Sequence, residues 1–298
     1  MGYVYQSLVK RSLFLILKVM GYFGVWDMNF KLFFYMSIIF YLLQNFALIA
    51  DQPPLIIVTA SYNNSRWCRD YFDSIAQQAF DNWLLLYIDD NSTDDTLAQM
   101  QSLVAEYHME DKVIFIENSQ RYGHLYNQYY AIHSCNPNSI VLIVDGDDWL
   151  ADSTVFKTIY SLYQTQDIWL TYGQFWYWKK NKKGLCRQIP PAVIQSNTIR
   201  TLSWRTSHLR TFYAGLFQQI AYEDLLYNGA FFPKCADVAT MLPMIEMAGI
   251  HIKFIPEVLY IYNDDNPLSY HHNPAHQREL EAYIKTMPAY KPLSGRLW

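Results

Sequence analysis

The sequence has no excess of basic residues, which excludes the charge pattern typical of nucleic-acid-binding chains. Its 27 Asp and Glu residues outnumber its 23 Lys and Arg residues, giving a formal net charge of −4 at pH 7. The one lysine-rich stretch, KKNKKG at 179–184, is short and ends in a turn signal. This pattern favours a solvated hairpin loop over a phosphate-binding patch. We therefore expect no nucleic-acid partner.

Cysteine is scarce and widely spaced, which argues against a zinc site. The sequence has four cysteines, no C-x-x-C pair, and no histidine at zinc-finger spacing from them. One or two disulfides, and with them the redox compartment, stay open at this level. The cysteines are Cys68, Cys135, Cys186 and Cys235.

Two glycine-rich nucleotide-binding signatures are also missing. No G-x-G-x-x-G follows the first predicted strand, and no G-x-x-x-x-G-K-[ST] occurs, which excludes a dinucleotide fingerprint and a P-loop. The acidic stretches DDNSTDDT and DGDDWLAD lack the glycine and terminal glutamate of an EF-hand at the required spacing. The acidic residues therefore need another explanation.

The N-terminus carries a long uncharged run. Leu32–Ala50 contains 19 residues without a charge, enough to cross a bilayer as a helix. The run follows MNFK and ends in ALIA, a pattern equally typical of a cleaved secretory signal. A buried helix is a third interpretation, which the pattern favours less. We assign residues 1–50 to this segment and 51–298 to one globular domain. The expected location is membrane-associated through a single type II anchor, or the secretory pathway or exterior after cleavage.

From residue 53 onward, apolar strand patterns alternate with helical ones. Strands that are apolar throughout and separated by helices predict a parallel sheet covered on both faces. Beyond residue 173 the pattern changes to a β-hairpin, a mixed region, a helix over Ala236–Ala248 interrupted by Pro243, and a closing strand. The predicted helices of the first half are Arg66–Phe80, Asp94–Tyr107, Leu125–His133 and Ser153–Gln164.

Polar residues recur where the buried strands end. Ligands of such sheets bind at the carboxyl ends of the strands. In VLIVDGDDWL, at 141–150, Asp145, Asp147 and Asp148 follow an apolar strand, and Gly146 is expected to permit a sharp turn. Like charges this close favour a Mg²⁺ or Mn²⁺ ion, which could clamp a diphosphate. The alternative is a cap for the helix beginning near Ser153, which needs only one aspartate.

Two motifs carry a resemblance to a known family. They are VTASYNNSRWCRDYFDSIAQQAFDNWLLLYIDDNSTDDT at 58–96 and VDGDDW at 144–149. Together they resemble the family 2 glycosyltransferases of the GT-A fold, the nucleotide-diphospho-sugar transferases, over roughly residues 53–262. The resemblance implies an α/β, Rossmann-like fold. Its central sheet would be mostly parallel and flanked by helices, with a smaller mixed half on the acceptor side.

The resemblance also implies a ligand set. A UDP-sugar is the expected donor, and Mn²⁺ or Mg²⁺ the expected cofactor. Donor contacts are implied for Thr59, Tyr62, Asp90, Arg121, Asn127 and Asp147. Metal ligands are implied at Asp145, Asp147, Asp148 and His271.

The implied reaction is an inverting sugar transfer of the hexosyltransferase type, to a glycan, lipid or protein acceptor. It needs a general base, and the family pattern places this carboxylate at Asp237, twelve residues before Gly249. Ala236 stands where the family usually has Glu, so Glu246 is kept as the alternative base. Two other functions stay open. One is a metal-dependent nucleotidyltransferase or sugar-nucleotide hydrolase, and the other is a catalytically silent carbohydrate-binding protein.

Overall fold

The structure, a computed structural model, describes residues 55–267 and 274–298. Leu32–Ala50 and His271 lie outside these ranges, so the predictions made for them and for a boundary after residue 50 stay predictions. Within the described ranges, no helix is long and apolar enough to cross a membrane. The four cysteines are buried free thiols, so the disulfides left open by the sequence are not formed among them.

The first half follows the predicted alternation of strands and helices. Strands of this half are built from buried aliphatic and aromatic runs such as LIIV at 55–58. The order is β1 (Leu55–Ser61), α1 (Cys68–Ala76), β2 (Trp83–Asp89), α2 (Thr96–Glu106), β3 (Val113–Glu117), α3 (His124–His133), β4 (Ile140–Ile143), β5 (Trp149–Leu150) and α4 (Val155–Thr165).

The second half contains shorter elements and ends in two longer helices around a long strand. The order is β6 (Leu170–Tyr177), β7 (Lys182–Lys183), α5 (Pro191–Gln195), β8 (Arg210–Tyr213), α6 (Ala214–Phe217), β9 (Leu226–Tyr227), β10 (Ala230–Phe231), α7 (Ala236–Ala248), β11 (Ile252–Tyr262) and α8 (Pro274–Thr286). Pro243 does not interrupt α7. That helix is buried from Val238 to Ala248 and packs against α6 and α8, and this packing outweighs the local preference of proline.

One mixed sheet runs through the described chain, in the order β3-β2-β1-β4-β8-β6-β11-β5, with β7 paired to β6. The strands β3, β2, β1 and β4 are parallel, as predicted. Strands β6 and β11 are also parallel to each other, and the sheet is mixed because β5, β7 and β8 pair antiparallel with their neighbours. Strand β8 is antiparallel to both β4 and β6. A strand can pair antiparallel without a crossover helix, and the segment from 184 to 209 leading into β8 contains only the short α5 and a 3-10 turn at Ile199–Thr201.

This antiparallel strand has a consequence for the ligand-binding edge. The carboxyl ends of β1, β2 and β4 meet at one edge of the sheet. Since β8 runs the other way, its beginning lies at that edge, with Arg210 paired to Ile143 at the end of β4. The residues just before β8 are thereby brought beside those just after β4.

Candidate active site at the carboxyl edge of the sheet

Two loops at this edge are joined by hydrogen bonds. The loop after β1 donates from the Asn63 amide to Ser92 Oγ at 3.0 Å, and from the Asn64 amide to Thr96 Oγ1 at 2.8 Å. The Thr93 amide in turn donates to Asn63 Oδ1 at 2.8 Å. Side chains of the DDNSTDDT stretch therefore hold the loop after β1 in place.

Thr59 and Tyr62, both predicted to contact a donor, have different surroundings. Thr59 has no exposed surface; its hydroxyl donates to the Val144 carbonyl at 2.8 Å and bonds the Tyr71 hydroxyl at 2.5 Å. Its side chain thus ties β1 to the end of β4. Tyr62 is partly exposed, and the guanidinium of Arg121 lies 3.8 Å from its ring centroid. The structure therefore brings Tyr62 and Arg121 together on the accessible side of the edge.

Asp90 organises the segment that leads into α3. Its carboxylate accepts hydrogen bonds from the amides of Tyr122 and Gly123 and from Asn118 Nδ2, each at 2.9 Å. Burial would raise the pKa of this carboxyl, but the surrounding N–H donors hold it below its usual value. Asn127 is buried beside it and accepts from Asn118 at 2.8 Å. These two predicted donor-binding residues are thus neighbours, and their contacts shape the 118–123 loop.

Gly146 is needed for space rather than for an unusual backbone angle. The predicted turn is present at 146–147, but the φ of Gly146 lies outside the left-handed region, so the backbone angle does not require glycine. A Cβ placed on Gly146 would lie 2.6 Å from Ser61 Oγ and 2.8 Å from Ser61 Cβ. The aspartate turn therefore packs directly against the end of β1.

The three aspartates of this turn do not cap α4. The N-cap residue of α4 is Thr154, and no side chain makes a cap hydrogen bond there. Asp152 Oδ1 accepts from the Thr154 amide at 2.7 Å, in the turn before the helix. The capping alternative for Asp145, Asp147 and Asp148 is thereby removed.

Asp148 is the most deeply buried of the three, with 1% of its surface exposed. Tyr260 donates its hydroxyl to Asp148 Oδ2, and the Asn263 amide donates to Oδ1, both at 2.7 Å. Burial, with the charges of Asp147 and Asp145, raises the pKa of Asp148 well above its usual value. Its two oxygens are therefore fixed in position by neighbours from the end of β11.

Asp147 and Asp145 have different partners. Asn266 Nδ2 donates to Asp147 Oδ2 at 2.7 Å, while burial and the charge of Asp145 raise the pKa of Asp147 to about 6. Asp145 lies 3.8 Å from Arg210 Nη2 and 3.5 Å from His124 Nε2. Although burial would raise the pKa of Asp145, the electrostatic effects of His124 and Arg210 hold it below its usual value. Asp145 is therefore the most readily ionised of the three.

His208 completes a group able to hold a metal ion. One ligand atom each from Asp145, Asp148 and His208 lie within 4.8 Å of one another. The His208 ring stacks on Tyr260, with centroids 4.5 Å apart and an interplanar angle of 9°. Burial, together with the charge of Arg210, lowers the pKa of His208 to about 3, so its imidazole is neutral at physiological pH.

The surroundings of these ligand atoms fit a divalent cation. In the described part of the chain, Asp145 Oδ1 and His208 Nδ1 are buried and have no hydrogen-bond partner. Buried acceptors without partners are costly unless something binds them. Two carboxylates and a neutral imidazole form a donor set suited to Mn²⁺. Of the predicted metal ligands, Asp145 and Asp148 belong to this group. Asp147 is hydrogen-bonded to Asn266 instead. His271 lies outside the described ranges.

The sequence prediction of the metal ligands did not include His208. Its local sequence, SWRTSHLRTF at 203–212, is rich in polar groups for a scaffold segment, and this was the available signal. His208 lies at the carboxyl edge because β8 runs antiparallel to β4, and no local sequence pattern predicted that direction.

Asp237 lies in the first turn of α7, as predicted, and is partly buried. Its Oδ1 accepts from the Val238 amide at 2.9 Å, and burial raises its pKa. Arg210, Asp145 and His124 all act on its charge, which locates it beside the same group of side chains. A carboxyl with a raised pKa, and with this one hydrogen bond among the described residues, suits proton abstraction.

The alternative base, Glu246, is occupied elsewhere. Its carboxylate accepts hydrogen bonds from Arg200 Nε at 2.6 Å, from Arg200 Nη2 at 2.9 Å and from the Tyr290 amide at 2.9 Å. With 1% of its surface exposed, Glu246 ties α7 to the C-terminal segment. It therefore has a structural role, and Asp237 stays the predicted base.

Solved structures with a similar fold were found for most of the chain. TarS 1–349 of S. aureus matches with a TM-score of 0.52 and 17% identity, over 70% of this chain and 60% of that one. A mannosyltransferase from Pyrobaculum calidifontis, in complex with GDP-Man and Mn²⁺, gives 0.55 and 17% over 80% and 66%. Glucosyl-3-phosphoglycerate synthase from Mycobacterium tuberculosis, with Mn²⁺, UDP and phosphoglyceric acid, gives 0.56 and 14% over 81% of each. These likenesses confirm the GT-A fold.

No curated protein sequence matches the chain. The family model of Glycosyl transferase family 2 matches residues 56–225, which is more than half of the sequence. That range includes both motifs on which the resemblance rested, the loops at the carboxyl edge, and three of the residues grouped there, Asp145, Asp148 and His208. The chain therefore belongs to glycosyl transferase family 2, a family of transferase enzymes.

Proposed function

We propose that this protein transfers a sugar from a nucleoside-diphosphate donor to an acceptor hydroxyl, with inversion and with the aid of Mn²⁺ or Mg²⁺. The observation that carries this proposal is the grouping of Asp145, Asp148 and neutral His208 at the carboxyl edge, with Asp237 beside them. Mn²⁺ and a nucleotide or nucleotide sugar accompany two of the similar folds, which supports the choice of ligands. A UDP-sugar is the proposed donor, since TarS is also described in complex with UDP-GlcNAc.

The proposed metal site is Asp145, Asp148 and His208. A divalent cation held there would offset the negative charge that develops on the departing diphosphate. Asp148 is kept in place by Tyr260 and the Asn263 amide, and His208 by its stacking on Tyr260. Residues that are fixed in this way lose little entropy when a ligand binds.

Asp237 is the proposed general base. It takes the proton of the acceptor hydroxyl while that oxygen forms a bond to the anomeric carbon, and the bond from this carbon to the diphosphate oxygen breaks on the opposite face. Its raised pKa makes Asp237 a better proton acceptor than an ordinary surface aspartate. On the donor side, the Tyr62–Arg121 pair offers an aromatic face and a cation to the nucleoside. The Asp90–Asn127 pair fixes the loop that carries Arg121.

The function is tested with the full chain in detergent and a panel of sugar nucleotides in the presence of Mn²⁺. Release of the nucleoside diphosphate is followed with and without a chelator. We expect release to be abolished by the chelator and lowered at least about 100-fold in Asp148→Asn and Asp237→Asn. Asp152→Asn, which alters only the turn before α4, is the matched control and should retain activity. Metal-independent release, or full activity in Asp148→Asn, contradicts the proposal.

The role of the N-terminal residues is a separate proposal. Residues 1–50 attach the enzyme to a membrane or direct its export, and the acceptor is a glycan, lipid or protein found there. The uncharged run Leu32–Ala50 supports this. Carbonate extraction of membranes, combined with N-terminal sequencing of the mature protein, distinguishes an anchor from a cleaved signal. A full-length protein recovered entirely in the soluble fraction contradicts both.

A further inference from the structure

Arg210 is a buried cation with very few partners. Only 4% of its surface is exposed, and its Nε has no hydrogen-bond partner among the described residues. Its one ion pair there is the 3.8 Å approach of Nη2 to Asp145 Oδ2. A buried guanidinium normally requires several close acceptors, so Arg210 is incompletely satisfied in this state.

Arg210 also cannot easily leave the site. Its backbone lies in β8, paired with Ile143 of β4 on one side and Tyr172 of β6 on the other. Within the described ranges, it is the only Lys or Arg within 4.0 Å of the carboxylates of Asp145, Asp147 or Asp148. The positive charge beside Asp145 is therefore a fixed part of the sheet.

This position sets Arg210 in competition with any cation that Asp145 binds. A metal ion held by Asp145, Asp148 and His208 shares the Asp145 carboxylate with the guanidinium. Two cations in a buried site repel each other strongly, because little water screens them. A diphosphate arriving with the metal removes this conflict, because its oxygens can offset both positive charges.

We infer that Arg210 makes divalent-cation binding depend on the nucleoside diphosphate. Without nucleotide, Arg210 neutralises Asp145 and opposes the metal; with nucleotide, the metal and the diphosphate bind as a pair. The inference rests on the proposed metal site, and Arg210 acts in it as a positioning residue. Its role keeps the site from retaining a bare metal ion after the nucleotide product has left.

The test measures Mn²⁺ binding to the full chain in detergent by the loss of the free-ion electron paramagnetic resonance signal, with and without saturating UDP. In the unmodified protein, UDP should lower the Kd for Mn²⁺ at least about tenfold. In Arg210→Gln, Mn²⁺ alone should bind at least about tenfold more tightly than in the unmodified protein, and the effect of UDP should shrink. Arg210→Lys keeps the charge and should resemble the unmodified protein.

Arg205→Gln is the matched control, since it removes the same charge from a side chain whose hydrogen bonds, among the described residues, all go to Ser203. It should leave both Mn²⁺ affinities unchanged. Unchanged or weaker binding of Mn²⁺ alone by a folded Arg210→Gln variant overturns the inference while leaving the proposed function standing. The same conclusion follows, without any variant, if the unmodified protein binds Mn²⁺ equally well with and without UDP. No Mn²⁺ binding in the presence of UDP overturns the proposed metal site, and the inference with it.

Discussion

Tyr260→Phe tests whether the neighbours of Asp148 tune the proposed metal site. The Tyr260 hydroxyl donates to Asp148 Oδ2 at 2.7 Å and accepts from the Asp145 amide at 3.1 Å. Its hydrogen bond lowers the pKa of Asp148, against the larger effects of burial and of the charges of Asp147 and Asp145. Without the hydroxyl, Asp148 holds its proton more firmly, and a metal ion must displace that proton.

The size of the effect follows from the kind of hydrogen bond lost. A hydrogen bond to a charged group contributes about 1.5–3 kcal/mol, and a tenfold change in affinity corresponds to about 1.4 kcal/mol. We therefore expect the Kd for Mn²⁺, measured by titration calorimetry with UDP present, to rise about 10- to 100-fold. This agrees with the range for residues that orient metal ligands.

Tyr172→Phe is the control for the loss of a buried phenol hydroxyl. Tyr172 donates to the Arg187 carbonyl at 3.1 Å and accepts from the Ile189 amide at 2.9 Å, so it also has two hydrogen bonds. It should lose stability while keeping its Mn²⁺ affinity. A Tyr260→Phe protein that is folded and binds Mn²⁺ like the unmodified protein would refute the reasoning.

Three further predictions concern stability and pH. Arg200→Ala removes the ion-pair partner of the buried Glu246 carboxylate, and we expect the free energy of unfolding in urea to fall by about 3–5 kcal/mol. Arg69→Ala is the comparison, because it breaks an exposed ion pair with Glu106 that has a 2.8 Å contact; it should lower the same free energy by less than about 1 kcal/mol. Gly146→Ala should destabilise by about 1–3 kcal/mol in the same assay because its Cβ meets Ser61, and Ser61→Gly should recover part of that loss in the double variant. Asp147 has a pKa of about 6, and its ionisation adds a negative charge beside the proposed metal ligand Asp145. Mn²⁺ affinity should therefore rise from pH 5 to pH 7 with release of protons, measured by calorimetry in buffers of different ionisation enthalpy; equal affinities at both pH values would contradict this.

The first half of the fold was readable from the sequence because its signals are local. LIIV at 55–58 and IVLI at 140–143 are apolar throughout, as strands buried on both faces must be, and the helices between them show the expected spacing. The grouping of Asp145 and Asp148 also followed, because both lie in the turn directly after β4, and the carboxyl end of such a strand lies at the ligand-binding edge.

The remaining features depend on tertiary contacts. Strand β8 has only four residues, and neither its length nor its composition indicates that it inserts antiparallel between β4 and β6. His208 and Arg210 were therefore not assigned to the metal site. The sequence likewise did not show why residue 146 must be small, because a Cβ there would meet the side chain of Ser61 at the end of β1.

The residues of the proposed metal site come from distant parts of the chain, and this affects the order in which the protein folds. Asp145 and Asp148 follow β4, whereas His208 precedes β8, and β5, α4, β6, β7 and α5 lie between them in the chain. Closing so long a loop costs entropy that local structure does not repay, so contacts of this kind form late. A folding intermediate that contains only β1 to β4 would carry the two carboxylates but lack the imidazole and the guanidinium. Native-like Mn²⁺ binding is therefore a kinetic marker for the docking of β8 against β4.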